Sequence, residues 1–169
     1  MSEVNSTCET RRPLFELLGN LETVDTFFDS VSEDVEWTLV GRHPLAGEFR
    51  NKREFLDGTL EQIRARSGGL RFDLKQMYGT SDVVVVVMEG VATATDGEPY
   101  DPFYIWICRF EGDVIVEVQA YVDTRVVTGI IERVLPAGGS GSGPSAAEQA
   151  EARSTRVPGP LRAVGDAGP

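Results

Sequence analysis

The chain has 169 residues, of which 41% are hydrophobic and 25% charged, a globular composition with room for one domain and one sizeable core. It is unlike a collagen, a membrane protein or a wholly disordered chain. Its 16 Lys and Arg against 27 Asp and Glu leave a formal charge of −11, which repels nucleic-acid phosphates and anionic membrane surfaces and leaves neutral small molecules as the expected partners.

The polar opening MSEVNSTCET has no apolar h-region, and no run of about 18 apolar residues follows, so neither a signal peptide nor a membrane span is expected. Two cysteines, Cys8 and Cys108, provide neither a disulfide framework nor paired metal-ligand spacing, which points to a reducing, cytoplasmic compartment. Residues 1–9 read as a flexible start. Leu14, Leu17, Leu18 and Leu21, then Val24, Phe28 and Val31, recur at helical spacing around Gly19-Asn20 and predict two short helices. Val35, Trp37 and Leu39 alternate with Asp34, Glu36 and Thr38, a strand with one apolar and one acidic face that runs into a turn region from Gly41 to Gly47. A third helix starts at Asn51, a candidate N-cap, carries Phe55, Leu56, Leu60 and Ile63 and stops at Ser67-Gly68-Gly69. Strands follow at Leu70–Tyr78, Asp82–Thr95, Tyr100–Phe110 and Val114–Val122, with turns at Asp96-Gly97 and Glu111-Gly112-Asp113. Helices first and a long antiparallel sheet after imply an α+β domain over residues 10–135. From Pro136 the composition turns to Pro, Gly, Ala and Ser with no aromatic residue, which reads as a disordered tail over residues 136–169. Arg153, Arg156 and Arg162 balance Glu148, Glu151 and Asp166, so the −11 belongs to residues 1–135.

A strand ending near Trp37, a Pro44-to-Gly47 turn, a helix beginning at Lys52, the strand with Tyr104 and Trp106, the turn at Gly112 and the final Tyr121 and Asp123 together resemble the nuclear transport factor 2-like superfamily, in its SnoaL-like polyketide cyclase and ketosteroid isomerase-like branch. The resemblance covers residues 10–134. It implies a cone-shaped α+β barrel, with the N-terminal helices packed on a curved antiparallel sheet and one sheet face lining the cone. It also implies a homodimer through the other face. The departures narrow the chemistry. The slot of the isomerases' proton-shuttling Asp holds Thr38 or Leu39, their oxyanion Asp aligns with Trp106, and their oxyanion Tyr falls near Leu14-Phe15. The slots of the limonene-epoxide hydrolase machinery hold about Gly90, Ala92 and Ala120.

Strand parity places Tyr104, Trp106 and Cys108 on one face and Phe103, Ile105 and Ile107 on the other. The resemblance puts the first set in the cone with Trp37, Met88, Leu39, Phe55 and Ala120 as substrate-binding residues, and their alternative role is core filling. Tyr104 is the candidate donor to a substrate carbonyl. His43, the only histidine, is a candidate acid/base or a solvated turn residue, and Asp101 is a polar rim group or a turn residue fixed by Pro102. Asp123 matches the acid of the SnoaL-like cyclases, or caps the helix after it. Asp34 and Glu36 read as a solvated strand face rather than paired acids. There is no phosphate-binding glycine loop, nucleophile elbow or cluster at metal spacing, so the expected chemistry needs no cofactor and no metal. The expected function is a polyketide cyclase of secondary metabolism that folds a linear polyene or polyketide in an aromatic-lined pocket for intramolecular ring closure, by cycloaddition or conjugate addition. The alternatives are an isomerase or dehydratase using Asp123 or His43, and a non-catalytic binder of a hydrophobic small molecule.

Overall fold

The computed structural model describes residues 8–137 and 159–161. Helix α1 (Arg12–Glu16) continues as a 3-10 turn, Leu17–Gly19, and α2 (Val24–Phe27) as a second, Phe28–Ser30. Pro13 suits α1 because the first turn of a helix needs no backbone donor there. Both helices turn an aromatic edge inward, with Phe15, Leu18, Val24, Phe27 and Phe28 all buried. Cys8 is also buried, so the packed domain begins within the first ten residues.

Strands β1 (Val31–Val40) and β2 (Gly47–Phe49) precede α3, which starts as Lys52–Phe55, widens through a π-turn at Leu56–Leu60 and ends as Glu61–Arg64. Asn51 caps it as expected, its side-chain oxygen accepting from the Glu54 N–H at 2.8 Å, and the Glu54 carboxylate accepts from the Arg50 N–H at 3.1 Å. Lys52 Nζ donates to the carbonyls of Phe28 and Val31 at 2.9 and 3.0 Å and pairs with Glu33, which staples the start of α3 to the junction of α2 and β1. The remaining elements are β3 (Arg71–Gly79), β4 (Val83–Thr93), β5 (Pro99–Tyr100), β6 (Phe103–Glu111), β7 (Val114–Val122) and α4 (Thr124–Arg133).

The strands form one curved sheet in the order β2-β1-β7-β6-β4-β3, with β5 on β4. It is mixed rather than wholly antiparallel, because β1 runs parallel to β7, with Trp37 opposite Val118 and Leu39 opposite Ala120. Turn signals report only hairpin neighbours, and more than 70 residues separate these two strands, ample for the crossover a parallel pair needs. Ladder shifts at Val31/Glu36, Leu74/Gln76 and Arg109/Phe110 bend the sheet around the helices. The expected strand over Tyr100–Phe110 is interrupted at Asp101-Pro102, where proline cannot donate to a ladder. The parity nevertheless runs through the break, with Tyr100, Tyr104, Trp106, Cys108 and Phe110 all facing inward.

Helix α4 packs beside the cone and puts Val127 against its interior. Val127 and Ile130 are buried, Arg133 pairs with Asp96, and the buried Arg66 guanidinium donates to the Val134 carbonyl at 2.9 Å, so the helix is anchored at its far end to α3 and to the β4–β5 turn.

Candidate active site

Six of the residues expected in the cone converge there: Trp37, Leu39, Phe55, Tyr104, Trp106 and Ala120 line one cavity, together with Leu45, Thr59, Leu60, Ile63, Tyr100, Val122 and Val127. They converge because inward positions of β1, β6 and β7 stand opposite one another in register (Trp37 with Val118, Trp106 with Ala120), while α3 supplies the opposing wall. Trp37 stacks on Phe55 at 3.7 Å between ring centroids and meets Trp106 edge-on at 5.0 Å. Phe72 meets Tyr104 and Trp106 at 5.1 and 5.4 Å. The open space left among these rings is about 20 Å³, room for a single water molecule. Outside it, between β5 and α4, lies a vestibule of about 570 Å³ lined by Asp101, Arg125, Val126 and Gly129 among others. Tyr100 borders both spaces.

The polar content of the cavity is small and specific. The Tyr100 and Tyr104 hydroxyls are 2.7 Å apart. Two hydroxyls carry two hydrogens and their mutual bond uses one, so the pair retains an O–H that can still donate. Burial raises the pKa of both phenols, Tyr100 also through the neighbouring Tyr104 and the Asp123 carboxylate, and both are neutral at physiological pH. The Trp37 indole N–H is buried with no acceptor among the described residues. Gly90 makes room for this arrangement: a Cβ there would lie 2.9 Å from the Tyr104 ring.

Tyr100 did not stand out in the sequence, where it reads as the first residue of a strand. The signal available was its even spacing from Tyr104, Trp106 and Cys108 across Pro102.

The four remaining candidates lie elsewhere. Met88 faces inward opposite Tyr104 and is fully buried, but it is not among the residues that line the cavity. Asp101 is exposed on the vestibule wall. Asp123 is exposed too, and its carboxylate accepts from the Arg125 and Val126 N–H groups at 3.0 and 3.3 Å as the N-cap of α4. The alternation along β7 explains this, since Val118 and Ala120 take the inward positions and leave the odd-numbered residues outside. His43 is neither solvated nor in the cavity wall: it is 4% exposed and packs beside Gly41 and Thr124. Leu45 N–H donates to its Nδ1 at 3.3 Å, which leaves the ring proton on Nε2, and that nitrogen has no well-formed partner among the described residues. Burial lowers its pKa from 6.5 to about 4, with the Val40 carbonyl pulling weakly the other way.

Comparison with known proteins agrees with this architecture. The fold matches Bal32a, from a soil-derived mobile gene cassette, at a TM-score of 0.60 and 17% identity, over 76% of this chain and 98% of that one. It also matches wild-type IdmH, a candidate polyketide cyclase from Streptomyces antibioticus, at a TM-score of 0.54 and 18% identity, over 73% and 96% of the two chains. Among curated proteins, the dimerizing cyclase phiC of a fungal species is 28% identical over 101 residues, covering 57% of this chain and 45% of phiC. The dimerizing cyclase tstC of Talaromyces stipitatus is 28% identical over 112 residues, covering 57% of this chain and 50% of tstC. The chain thus spans about half the length of the curated relatives it matches. A family model for the SnoaL-like domain matches residues 15–118, most of the helical layer and the sheet up to the middle of β7, and the chain belongs to the SnoaL-like domain family.

Proposed function

We propose that this protein is a cofactor-independent cyclase that folds a hydrophobic, carbonyl-bearing polyketide or polyene inside the cone for intramolecular ring closure. One observation carries the reading: an aromatic-lined cavity is bordered by residues whose buried donors have no acceptor among the described residues, the spare O–H of the Tyr100–Tyr104 pair and the Trp37 N–H. A carbonyl oxygen that accepts from such a donor is polarised without proton transfer, in surroundings where the low dielectric strengthens the bond. The rings hold the chain in a near-attack shape, which lowers the entropic part of the barrier. A cycloaddition of this kind turns two π bonds into two ring σ bonds and gains or loses no atom, so it requires no oxidant, reductant or group carrier. The names of the relatives, two dimerizing cyclases and a candidate polyketide cyclase, support cyclase chemistry at that coarser level.

Because about 20 Å³ is open in the cavity, substrate enters only as side chains and α4 give way, and the vestibule is the entry side. The odd-numbered face of the sheet, with Phe103 58% and Ile105 40% exposed and Ile107 between them and the ion-paired rim, is where a second copy of the chain would dock.

The test is incubation with linear polyenone substrates, followed by product mass and ring analysis and by a pH–rate profile. Isomeric cyclised product and a flat profile from about pH 5 to about pH 9 are expected, since no group in the cavity wall titrates there. Saturable binding with no turnover would replace this reading with a carrier. A bell-shaped profile abolished by Asp123→Asn would replace it with acid/base catalysis.

A further inference from the structure

The outer face of the sheet carries a second cleft, of about 440 Å³, on the side of β1 and β7 opposite the cone. Its walls include Asp34, Glu36, Glu48 and Glu117, the last paired with Arg109 at 3.0 Å, with Arg50 as the one basic side chain of the lining, and its floor includes Gln119. The cleft is occupied: Gly159 and Pro160, from the distant C-terminal part of the chain, form part of its lining, and Gln119 Nε2 donates to the Gly159 carbonyl at 2.7 Å. Gln119 is 9% exposed, one of few buried polar side chains, and that carbonyl is the acceptor its amide donates to. Leu161 is half-buried.

We propose that this acidic cleft is a docking site for the chain's own segment Gly159-Pro160-Leu161, held in cis as a strap across β1 and β7. Three features of the segment fit the cleft. Pro160 restricts its own backbone and that of the residue before it, so little entropy is lost on docking. It is flanked in sequence by Arg156 and Arg162, opposite in sign to the walls. The 21 residues 138–158, between the end of the domain and the strap, are long enough to span up to about 70 Å when extended, so the length of the chain allows the strap to reach its own sheet. Gln119 is the cross-strand neighbour of Ile107, and Tyr121 that of Ile105, so the strap borders the apolar stripe left for a second copy.

The experiment is backbone ¹⁵N relaxation on the full-length protein. At moderate salt, order parameters of Gly159 and Leu161 near about 0.8, close to those of β7, are expected, falling below about 0.6 in Gln119→Leu and again in Leu161→Ser, with an unchanged amide spectrum of residues 8–137 as the control for folding. Arg162→Glu or high salt is expected to lower them in part. Values below about 0.6 in the native chain overturn the proposal. Labelled Gln119→Leu protein mixed with an excess of unlabelled native chain separates cis from trans: unchanged disorder of the labelled segment supports the strap, whereas recovery of order shows that the segment docks on a second copy and overturns the assignment in cis.

Discussion

Removing either hydroxyl of the Tyr100–Tyr104 pair strands the other in a place water does not reach. Tyr100 is 1% and Tyr104 6% exposed, and the two oxygens are 2.7 Å apart with no other hydrogen-bond partner among the described residues. A buried polar group that loses its partner costs about 1–3 kcal/mol, whereas removing both partners of a buried bond is close to neutral because no group is left unpaired. Tyr100→Phe and Tyr104→Phe are therefore each expected to destabilise by about 1–3 kcal/mol, and the double variant by less than the sum, with a coupling energy of at least about 1 kcal/mol. Urea denaturation followed by tryptophan fluorescence measures all four corners, with Trp37 and Trp106 both within the aromatic cluster as reporters. Activity should behave differently. Each single variant weakens the donor pair and is expected to lower the rate about tenfold to a hundredfold, while the double variant, although stable, should be the slowest of the four. Strictly additive stabilities would refute the pairing, and full turnover in the double variant would refute its role in polarising a carbonyl.

Trp106→Ala is expected to cost about 3–5 kcal/mol of stability by guanidinium denaturation, because a fully enclosed indole touching Phe27, Trp37, Phe72 and Tyr104 leaves a cavity that the sheet cannot collapse into. The buried His43 stays neutral down to about 4 while the unfolded chain takes up a proton near 6.5, so the unfolded state binds more protons in that window and stability falls as pH drops through it. The loss approaches about 3 kcal/mol, and denaturation curves of His43→Gln against the native chain from pH 7 to pH 4 should show the difference disappear in the variant. Asp123→Ala should lower the melting temperature through loss of the α4 cap, worth about 1 kcal/mol, whereas Asp123→Asn keeps both cap and turnover. Light scattering at micromolar concentration should give a dimeric mass, and Ile105→Glu a monomeric one.

The sequence by itself determined the first helices, the long strands and which side of those strands is buried, whereas β2 and the break between β5 and β6 appear only in the structure. Periodicity is local: the alternation of Trp37, Leu39, Tyr104 and Trp106 with polar or exposed neighbours specifies an inward face whatever lies opposite, and Asn51 announces α3 through hydrogen bonds within a single turn of helix. The tertiary structure decided what those faces meet. The parallel pairing of β1 with β7 joins residues more than 70 positions apart, and no turn residue encodes it. It is this pairing that sets Trp37 beside the inward positions of β7 and makes a cavity of the aromatic faces. The same holds for the titratable candidates. Asp123 and His43 are the residue types that acid/base chemistry uses, but a carboxylate at the first turn of a helix is drawn to the free N–H groups of α4, and the imidazole in the turn after Gly41 is folded into the protein at 4% exposure. Tyr100 lies beyond a proline that breaks its strand, so its partnership with Tyr104 exists only because β5 and β6 both lie against β4, which brings two hydroxyls on either side of that break to within hydrogen-bonding distance.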